Sequence, residues 1–237
     1  MNLLKRLLRP PYKLVKRSLR PWWTRTLTRF GEGEYEMVLR NAMNYVHGCE
    51  VIGDYLEFGV YWGNTFLAAY HNAQRFGLET MRFYGFDSFE GLPEISGVDK
   101  AGDCHYHQGQ YACTLDAVRE RIASEGVDLS RVQMTKGWYD KTLTPETKKS
   151  LPIKKAAVIW IDCDLYESTV PALQFVTDYV QDGTIICFDD WFCFKGDPDR
   201  GESLAFKEWL ARNPSFRAIE YRKFEAAGHS FIMNVRR

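Results

Sequence analysis

No run of apolar residues in this 237-residue chain approaches the ~18 that a membrane-spanning helix needs, so we expect no transmembrane segment. The first residues carry charges without an uninterrupted apolar stretch behind them, which argues against a secretory signal. The six cysteines include no CxxC pair and show no regular spacing, which argues against a disulfide framework or a paired zinc site. We therefore expect reduced thiols and a cytoplasmic protein.

Residues 1–31 contain no Asp or Glu, although the whole chain has 31 acidic and 31 basic residues. Nine of the Lys and Arg residues lie in this segment, which leaves 22 basic against 31 acidic side chains in the rest. Leucines are interspersed among the cations, and prolines divide the segment into short pieces. We therefore predict two regions, a basic amphipathic arm over 1–31 and one α/β domain over 32–237.

Two roles fit the basic arm equally well. An amphipathic cationic segment with an aromatic pair, Trp22 and Trp23, can lie on an anionic membrane, which would place the protein at the inner face of that membrane. The arm could instead pack on the body of the same chain, or on a second copy of the chain. The second arrangement would give a homo-oligomer. Nucleic-acid binding is not expected, because the body is acidic and no recognition motif accompanies the basic run.

Helical and extended patterns alternate from Glu34 onward. The predicted helices span 34–47, 64–76, 114–125, 168–180 and 203–212, and the predicted strands span 55–60, 82–86, 132–135, 156–161, 184–188, 216–224 and 229–235. The run AAVIWI at 156–161 is almost wholly apolar, which is typical of a central parallel strand covered on both faces. The last two strands are close enough to pair as a hairpin. We therefore predict a doubly wound, Rossmann-like α/β fold with a mostly parallel sheet and a C-terminal antiparallel hairpin.

The turn after the first strand carries two glycines, Gly59 and Gly63, without the spacing of a phosphate-binding loop. Glycines let the backbone approach a ligand closely, and the preceding acid, Glu57, suits a cationic amine better than a pyrophosphate. Asp87 ends the second strand, where an acid can accept hydrogen bonds from ribose hydroxyls. Together these features suggest an adenosine-containing cofactor. Each could also be structural, as a plain glycine turn or as a cap at Asp87.

Paired acids follow two apolar strands. Asp162 and Asp164 come directly after AAVIWI, and Asp189 and Asp190 follow TIICF. Parallel strands end at the same edge of a sheet, so up to four carboxylates would converge and repel one another unless a cation joined them. Oxygen ligands suit Mg²⁺, or else Mn²⁺ or Ca²⁺. Any one of these acids could have only a structural role, such as capping a helix, but two acidic pairs on neighbouring strands favour a metal site.

Four blocks together resemble the macrocin O-methyltransferase family. They are EFGVYWGN from 57, FDSFEGLP from 86, KGWYDKTL from 136, and DCDLYEST from 162 followed by FDDW. The resemblance covers about 54–209. It implies a class I methyltransferase sheet that binds S-adenosylmethionine, requires Mg²⁺ and methylates a hydroxyl group of a sugar. The acceptor would be a small molecule or glycan, and a vicinal diol would suit the metal because both hydroxyls can chelate it.

The resemblance also implies individual roles. Asp162, Asp189 and Asp190 would hold the metal, and Asp164 would be the catalytic general base. The cofactor pocket would be lined by Glu57, Gly59, Gly63, Asp87, Ser88 and Trp138.

Two other functions fit parts of the pattern. The pair Asp162-Cys163-Asp164 followed by a second acidic pair is similar to haloacid dehalogenase-type phosphohydrolases, but there this motif ends the first strand, and here other strands precede it. A membrane-recruited, non-catalytic binding module would make the arm the functional part. The acids on or directly after the four strands predicted at 55–60, 82–86, 156–161 and 184–188 argue against a scaffold that has lost its active site.

Overall fold

The computed structural model describes residues 33–100 and 106–236. The predicted arm over 1–31 lies outside these residues, so its boundary with the α/β domain stays a prediction. None of the helices within the described ranges has the length and apolar character required to cross a bilayer. The five described cysteines are free thiols.

Seven strands and seven helices alternate along the described chain. The strands are β1 (Asp54–Phe58), β2 (Phe83–Asp87), β3 (Val132–Lys136), β4 (Ala156–Ile161), β5 (Ile185–Phe188), β6 (Phe216–Phe224) and β7 (Gly228–Val235). The helices are α1 (Glu34–Gly48), α2 (Asn64–Arg75), α3 (Leu115–Ser124), α4 (Tyr139–Thr142), α5 (Pro145–Ser150), α6 (Tyr166–Val176) and α7 (Gly201–Arg212).

All seven strands form one sheet in the order β3-β2-β1-β4-β5-β7-β6. The first five pair in parallel, whereas β7 runs antiparallel to both β5 and β6. The predicted Rossmann-like fold with a C-terminal antiparallel hairpin is confirmed. The strand order reverses at β1 and β4, and a crevice opens at such a point beyond the carboxyl ends of the strands.

Both faces of the sheet are covered. Alternate residues of β4 point to opposite faces, so Trp160 packs with α1, α2 and α3, whereas Ile159 and Ile161 pack with α6 and α7. Every residue of β4 is buried, as its unbroken apolar run predicted. This double cover fixes the strand ends rigidly, and their loops carry the candidate site.

The structure changes the bounds of several predicted elements slightly, changes those of one helix more, and adds two helices. Helix α6 begins at Tyr166 rather than at 168, because the carbonyl of Leu165 already accepts the Thr169 N–H at 2.9 Å, and the helix ends at Val176 rather than at 180. The short helices α4 and α5 were not predicted. Neither contains a buried residue, so they leave no apolar periodicity in the sequence.

Candidate active site

Gly59 brings the turn after β1 against the end of β4. Its φ is +87°, and a Cβ at this position would lie 1.8 Å from the carbonyl oxygen of Asp162. The N–H of Asp162 in turn donates to the carbonyl of Phe58 at 2.8 Å. Only glycine combines this conformation with this contact. The proposed cofactor turn and the first acidic pair are therefore in direct contact.

Gly63 has a different role from Gly59. It adopts a left-handed conformation with φ of 75° and precedes the first turn of α2. Its N–H donates to the carbonyl of Val60 at 2.7 Å, which closes the turn. The predicted cofactor contact of Gly63 stays a prediction, since the glycine itself does not line the main cavity described below.

Glu57 lies beneath this turn and is fully buried. Its carboxylate accepts hydrogen bonds from the hydroxyls of Tyr55 and Thr65, the latter at 2.7 Å. Burial raises the pKa of Glu57 to about 8, against the opposing effect of these two hydrogen bonds. Glu57 does not line the main cavity and reaches the turn through Thr65, so its assignment to the cofactor pocket stays a prediction.

Replacing Glu57 by glutamine is expected to raise the free energy of unfolding at pH 8 but not near pH 4.5. In the wild type, the unfolded chain ionises this group from about pH 4.5 and the folded chain only from about 8, so its contribution to stability falls as pH rises between these values. Glutamine has no such dependence and can still accept from Tyr55. Urea unfolding from pH 4.5 to 8 should show a gain that grows to a few kcal/mol, about 1.4 per pKa unit.

The control for this comparison is Glu79→Gln, which changes an exposed carboxylate. This variant controls for the loss of one carboxylate charge. If the free energy of unfolding of Glu57→Gln changed with pH in the same way as that of the wild type, this result would contradict the raised pKa of Glu57.

Asp87 fixes the same turn from β2. One carboxylate oxygen accepts the N–H groups of Val60 at 2.7 Å and Tyr61 at 3.0 Å, and the other accepts that of Phe89 at 2.6 Å. The adjacent Ser88 hydroxyl donates to the carbonyl of Gly91 at 2.9 Å. Both residues border the main cavity, and Asp87 also holds the turn, which is the structural role that the sequence left open for it.

A cavity of about 490 Å³ opens at the carboxyl ends of β1, β2, β4 and β5. Eight of the predicted site residues line it: Gly59, Asp87, Ser88, Trp138, Asp162, Asp164, Asp189 and Asp190. Its volume lies in the range of small-molecule sites. The structure therefore brings four of the six predicted cofactor residues and both acidic pairs to one cavity.

A second cavity of about 210 Å³ adjoins the first. The two share Tyr61, Asp162 and Asp189 in their walls. The remaining wall includes Asn64 and Thr65 from the start of α2. Glu225 joins Asp162 and Asp189 in this wall, so three carboxylates line the second cavity, which suits a cationic group better than an anionic one.

The acidic pairs meet as predicted, but their grouping differs from the expected one. Ile161 of β4 pairs with Phe188 of β5, so both strands end at the same level. One carboxylate oxygen each of Asp162, Asp164 and Asp190 lies within 4.8 Å of the other two. Within the described part of the chain this group does not include Asp189, the third predicted ligand, and it does include Asp164, the predicted base.

The electrostatics of the cluster favour a cation. Burial, followed by the neighbouring carboxylates of Asp189 and Asp190, raises the pKa of Asp162 well above its usual range. Burial and then Asp190 also raise the pKa of Asp164, and they raise that of Asp189 to about 7. Each carboxyl thus gains from a positive charge that would let it ionise. The donors are all oxygens, which suits Mg²⁺.

Glu202 is a buried acid that the sequence analysis missed. Its two carboxylate oxygens accept the N–H groups of Cys163 at 3.3 Å and Asp190 at 2.9 Å. The side chain is fully buried, and burial raises its pKa well above the usual value. Glu202 therefore ties together the two loops that carry the acidic pairs. In the sequence it resembles any acid in the first turn of a helix, which is common there.

Asp99, like Glu202, accepts backbone N–H groups from two separate elements, here the helices α6 and α7. Its carboxylate accepts the N–H of Tyr166 at 2.6 Å and that of Gly201 at 2.9 Å. These residues open α6 and α7, so a single buried acid joins both helix starts. The segment before it also forms one wall of the main cavity, through residues such as Glu94 and Ser96.

Comparison with known proteins places the chain in a family. Residues 18–200 match the model of the macrocin-O-methyltransferase (TylF) family. A tetracenomycin enzyme of Streptomyces olivaceus, 8-demethyl-8-(2,3-dimethoxy-α-L-rhamnosyl)-tetracenomycin-C 4'-O-methyltransferase, is 32% identical over 145 residues, which are 60% of this chain and 54% of that enzyme. Demethyldecarbamoylnovobiocin O-methyltransferase of Streptomyces niveus is 27% identical over 181 residues, 75% of this chain and 67% of that enzyme. The match thus spans about half the length of the first relative.

Solved structures share the fold. The O-methyltransferase NovP aligns with a TM-score of 0.70 and 24% identity, over 86% of this chain and 80% of NovP. The calicheamicin methyltransferase CalS11 aligns with a TM-score of 0.71 and 23% identity, over 97% of this chain and 89% of CalS11. Because the family model matches well over half of its length, this chain belongs to the macrocin O-methyltransferase family.

Proposed function

We propose that this protein transfers a methyl group from S-adenosylmethionine to a hydroxyl of a sugar or related diol-containing small molecule, with the help of a divalent cation. The observation that carries the proposal is that the acidic cluster opens into the same cavity as Gly59, Asp87, Ser88 and Trp138. Relatives support it: the Streptomyces olivaceus enzyme acts on a rhamnosyl compound and is an O-methyltransferase by name.

Residues around the two adjoining cavities would hold S-adenosylmethionine. Gly59, Asp87, Ser88 and Trp138 would contact it in the main cavity, and Gly63 would orient the start of α2 toward it. Glu57 would act from beneath the turn, through Thr65, which lines the second cavity. When bound, the sulfonium of this cofactor supplies an activated methyl group, so the protein needs chiefly to position the acceptor oxygen.

The cation site is proposed to comprise Asp162, Asp189 and Asp190. Asp162 and Asp190 belong both to this set and to the cluster within 4.8 Å, and Asp189 lines both cavities. The cluster itself supports a variant in which Asp164 replaces Asp189 as the third ligand. A bound Mg²⁺, or Mn²⁺ or Ca²⁺ in its place, would supply Lewis acidity that lowers the pKa of an acceptor hydroxyl.

Asp164 is proposed as the general base. It is 6% exposed, it borders the main cavity, and its backbone has a φ of 60°, which is uncommon for a residue with a side chain. An ionised carboxylate here would accept the proton of an acceptor hydroxyl held beside the cluster. Burial and then the neighbouring carboxylates raise the pKa of Asp164, so its activity as a base depends on a nearby positive charge that favours its ionised form.

Isothermal titration with S-adenosylmethionine and S-adenosylhomocysteine, with and without Mg²⁺, tests the cofactor. We expect micromolar binding of both. Methyl transfer to a panel of rhamnosides with vicinal hydroxyls, followed as S-adenosylhomocysteine release, then tests the acceptor class. Absence of cofactor binding under both conditions would contradict the proposal, and hydrolysis of p-nitrophenyl phosphate without a methyl donor would then favour the phosphohydrolase.

The predicted arm over 1–31 is proposed to contact either an anionic membrane surface or a second copy of the chain, in the cytoplasm. Its nine cations and interspersed leucines support both contacts. Pelleting of the full chain with vesicles of phosphatidylserine and phosphatidylcholine tests the first, and sedimentation equilibrium tests the second. A chain that neither pellets nor associates would contradict both roles.

A further inference from the structure

We infer that Tyr106 is a positioning residue of the cation site: its hydroxyl holds one oxygen of Asp190, so that the other oxygen of this carboxylate faces the cation. The inference rests on the proposed function, since it concerns the same cation. Tyr106 carries no chemistry in the roles assigned above and belongs to none of the four sequence blocks. It approaches the cluster from the segment between β2 and α3.

Two donors converge on a single oxygen of Asp190. The hydroxyl of Tyr106 donates to Oδ1 of Asp190 at 2.9 Å, and the thiol of Cys193 donates to the same oxygen at 3.1 Å. The Tyr106 hydroxyl also lies 3.1 Å from the Cys193 sulfur, a second acceptor for its single proton, so Tyr106, Cys193 and Asp190 form one hydrogen-bonded group. Oδ1 of Asp190 is therefore within hydrogen-bonding distance of two donor groups, and neither group contacts Oδ2.

The other oxygen of Asp190 has no such partner. Oδ2 is buried and accepts no hydrogen bond from the described residues. A buried carboxylate oxygen without a hydrogen-bond partner in the protein is costly, and this geometry suits an oxygen that binds a ligand. Asp190 also lies in the cluster within 4.8 Å of Asp162 and Asp164. The free oxygen, rather than Oδ1, is thus available to a cation.

The backbone of Asp190 is held as firmly as its side chain. The backbone N–H of Asp190 donates to the carboxylate of Glu202 at 2.9 Å, so hydrogen bonds hold both the backbone and the side chain of Asp190. Groups that donate to one oxygen of a ligand carboxylate orient the other, and their loss typically weakens metal binding about 10–100-fold. Tyr106 and Cys193 occupy this position relative to Asp190.

Neighbouring groups hold Tyr106 in place. Its ring lies 5.9 Å from that of Phe194, centroid to centroid. The segment that follows is tied to the loop after β2 by two backbone hydrogen bonds, from Leu92 to Gln110 at 2.8 Å and from Gly109 to Leu92 at 2.9 Å. Tyr106 thus links the loop that begins at the proposed cofactor residues to the acidic pair after β5.

The opposite role would be a plug that competes with the cation. Such a plug would have to occupy the oxygen that the cation uses, and the donors found here leave Oδ2 uncovered. The two roles predict changes of opposite sign in cation affinity when the hydroxyl is removed. A plug lost by mutation gives tighter binding, whereas a positioning group lost by mutation gives weaker binding.

Calorimetric titration of the full chain with MgCl₂ or MnCl₂, without cofactor or acceptor, tests the inference. We expect Tyr106→Phe to weaken binding about 10–100-fold. Cys193→Ala should weaken it in the same direction, and Cys193→Ser, which keeps a donor, should bind more tightly than Cys193→Ala. The control is Tyr179→Phe, which removes a hydroxyl 3.5 Å from the carbonyl of Lys148, beyond the opposite end of β4, and should match the wild type.

The outcomes separate the inference from the proposed function. If the wild type binds the cation and Tyr106→Phe binds it equally tightly or more tightly, the positioning role is wrong but the proposed cation site is still supported. A wild type that binds neither cation overturns both. If Tyr106→Phe fails to fold, Cys193→Ala decides, since it removes a donor to the same oxygen: weaker binding that Cys193→Ser restores supports the inference, and unchanged binding overturns it.

Discussion

Replacing Asp162 by asparagine is expected to abolish measurable Mg²⁺ binding and to lower kcat/KM for methyl transfer by at least about 1,000-fold, or about 4 kcal/mol of transition-state stabilisation. Asparagine keeps the size and hydrogen-bonding shape of the side chain but removes the charge that a divalent cation requires. Asp162 belongs to both the sequence-based ligand set and the cluster within 4.8 Å, and it borders both cavities. No other acid in the site meets all these conditions together with direct contact to the cofactor turn at Gly59.

The same substitution should stabilise the protein when no cation is present. Burial and neighbouring carboxylates raise the pKa of Asp162, so its ionisation opposes folding as pH rises above the value of the unfolded chain. Asparagine removes this effect. Thermal unfolding at pH 8 in EDTA should therefore give a higher Tm for Asp162→Asn than for the wild type, whereas added Mg²⁺ should raise the Tm of the wild type alone.

The matched control is Asp178→Asn, which removes an acid that is 72% exposed and paired with Lys148 on the surface. It should leave Mg²⁺ binding, activity and the Mg²⁺-dependent rise in Tm as in the wild type. Full activity of Asp162→Asn in excess EDTA would show that the reaction does not use a metal. Loss of activity with retained Mg²⁺ binding would assign Asp162 to another role.

The fold could be predicted from local patterns because they reflect burial directly. The run AAVIWI at 156–161 has no polar residue since β4 is covered on both faces, and Thr114 marks the start of α3 because its hydroxyl accepts the N–H of Ala117. The short helices α4 and α5 could not be predicted in this way. They lie on the surface and bury none of their residues, so they impose no apolar period on the sequence.

The meeting of the acidic pairs could also be predicted, because parallel neighbouring strands end at one edge. The membership of the cluster could not. It depends on the backbone of Asp164, which takes a φ of 60° in the turn after β4, and no local pattern indicates that conformation. For Asp87, sequence reasoning offered a contact to a ribose or a structural cap, and the structure shows that its carboxylate accepts three N–H groups of neighbouring turns.

The residues that support the acids were missed for a different reason. Glu202 reaches Cys163 across 39 positions of the chain, and Tyr106 reaches Asp190 across 84. Such contacts arise from the packing of α7 and of the segment after β2, not from spacing within a motif. An acid in a first helical turn and a tyrosine in a loop have many ordinary explanations, so only the three-dimensional arrangement singles them out.

Replacing Asp164 by asparagine separates the two roles that this residue can have. If Asp164 is the general base, Asp164→Asn is expected to lower kcat by about 100–10,000-fold, while its affinity for Mg²⁺ stays within about twofold of the wild-type value. Its side chain is buried beside the cavity, so asparagine should fit without rearrangement. Asp189→Asn should give the complementary result, with Mg²⁺ affinity lost together with activity.

These two variants, measured by calorimetry with Mg²⁺ and by the pH dependence of kcat, decide between the ligand sets. If Asp164 is the base, the limb of the kcat profile that reports its ionisation should disappear in Asp164→Asn. If the cluster within 4.8 Å is instead the cation site, Asp164→Asn loses Mg²⁺ binding and Asp189→Asn keeps it. The second result would leave Asp189, whose pKa burial and Asp190 raise to about 7, as the residue suited to accept the proton near neutral pH.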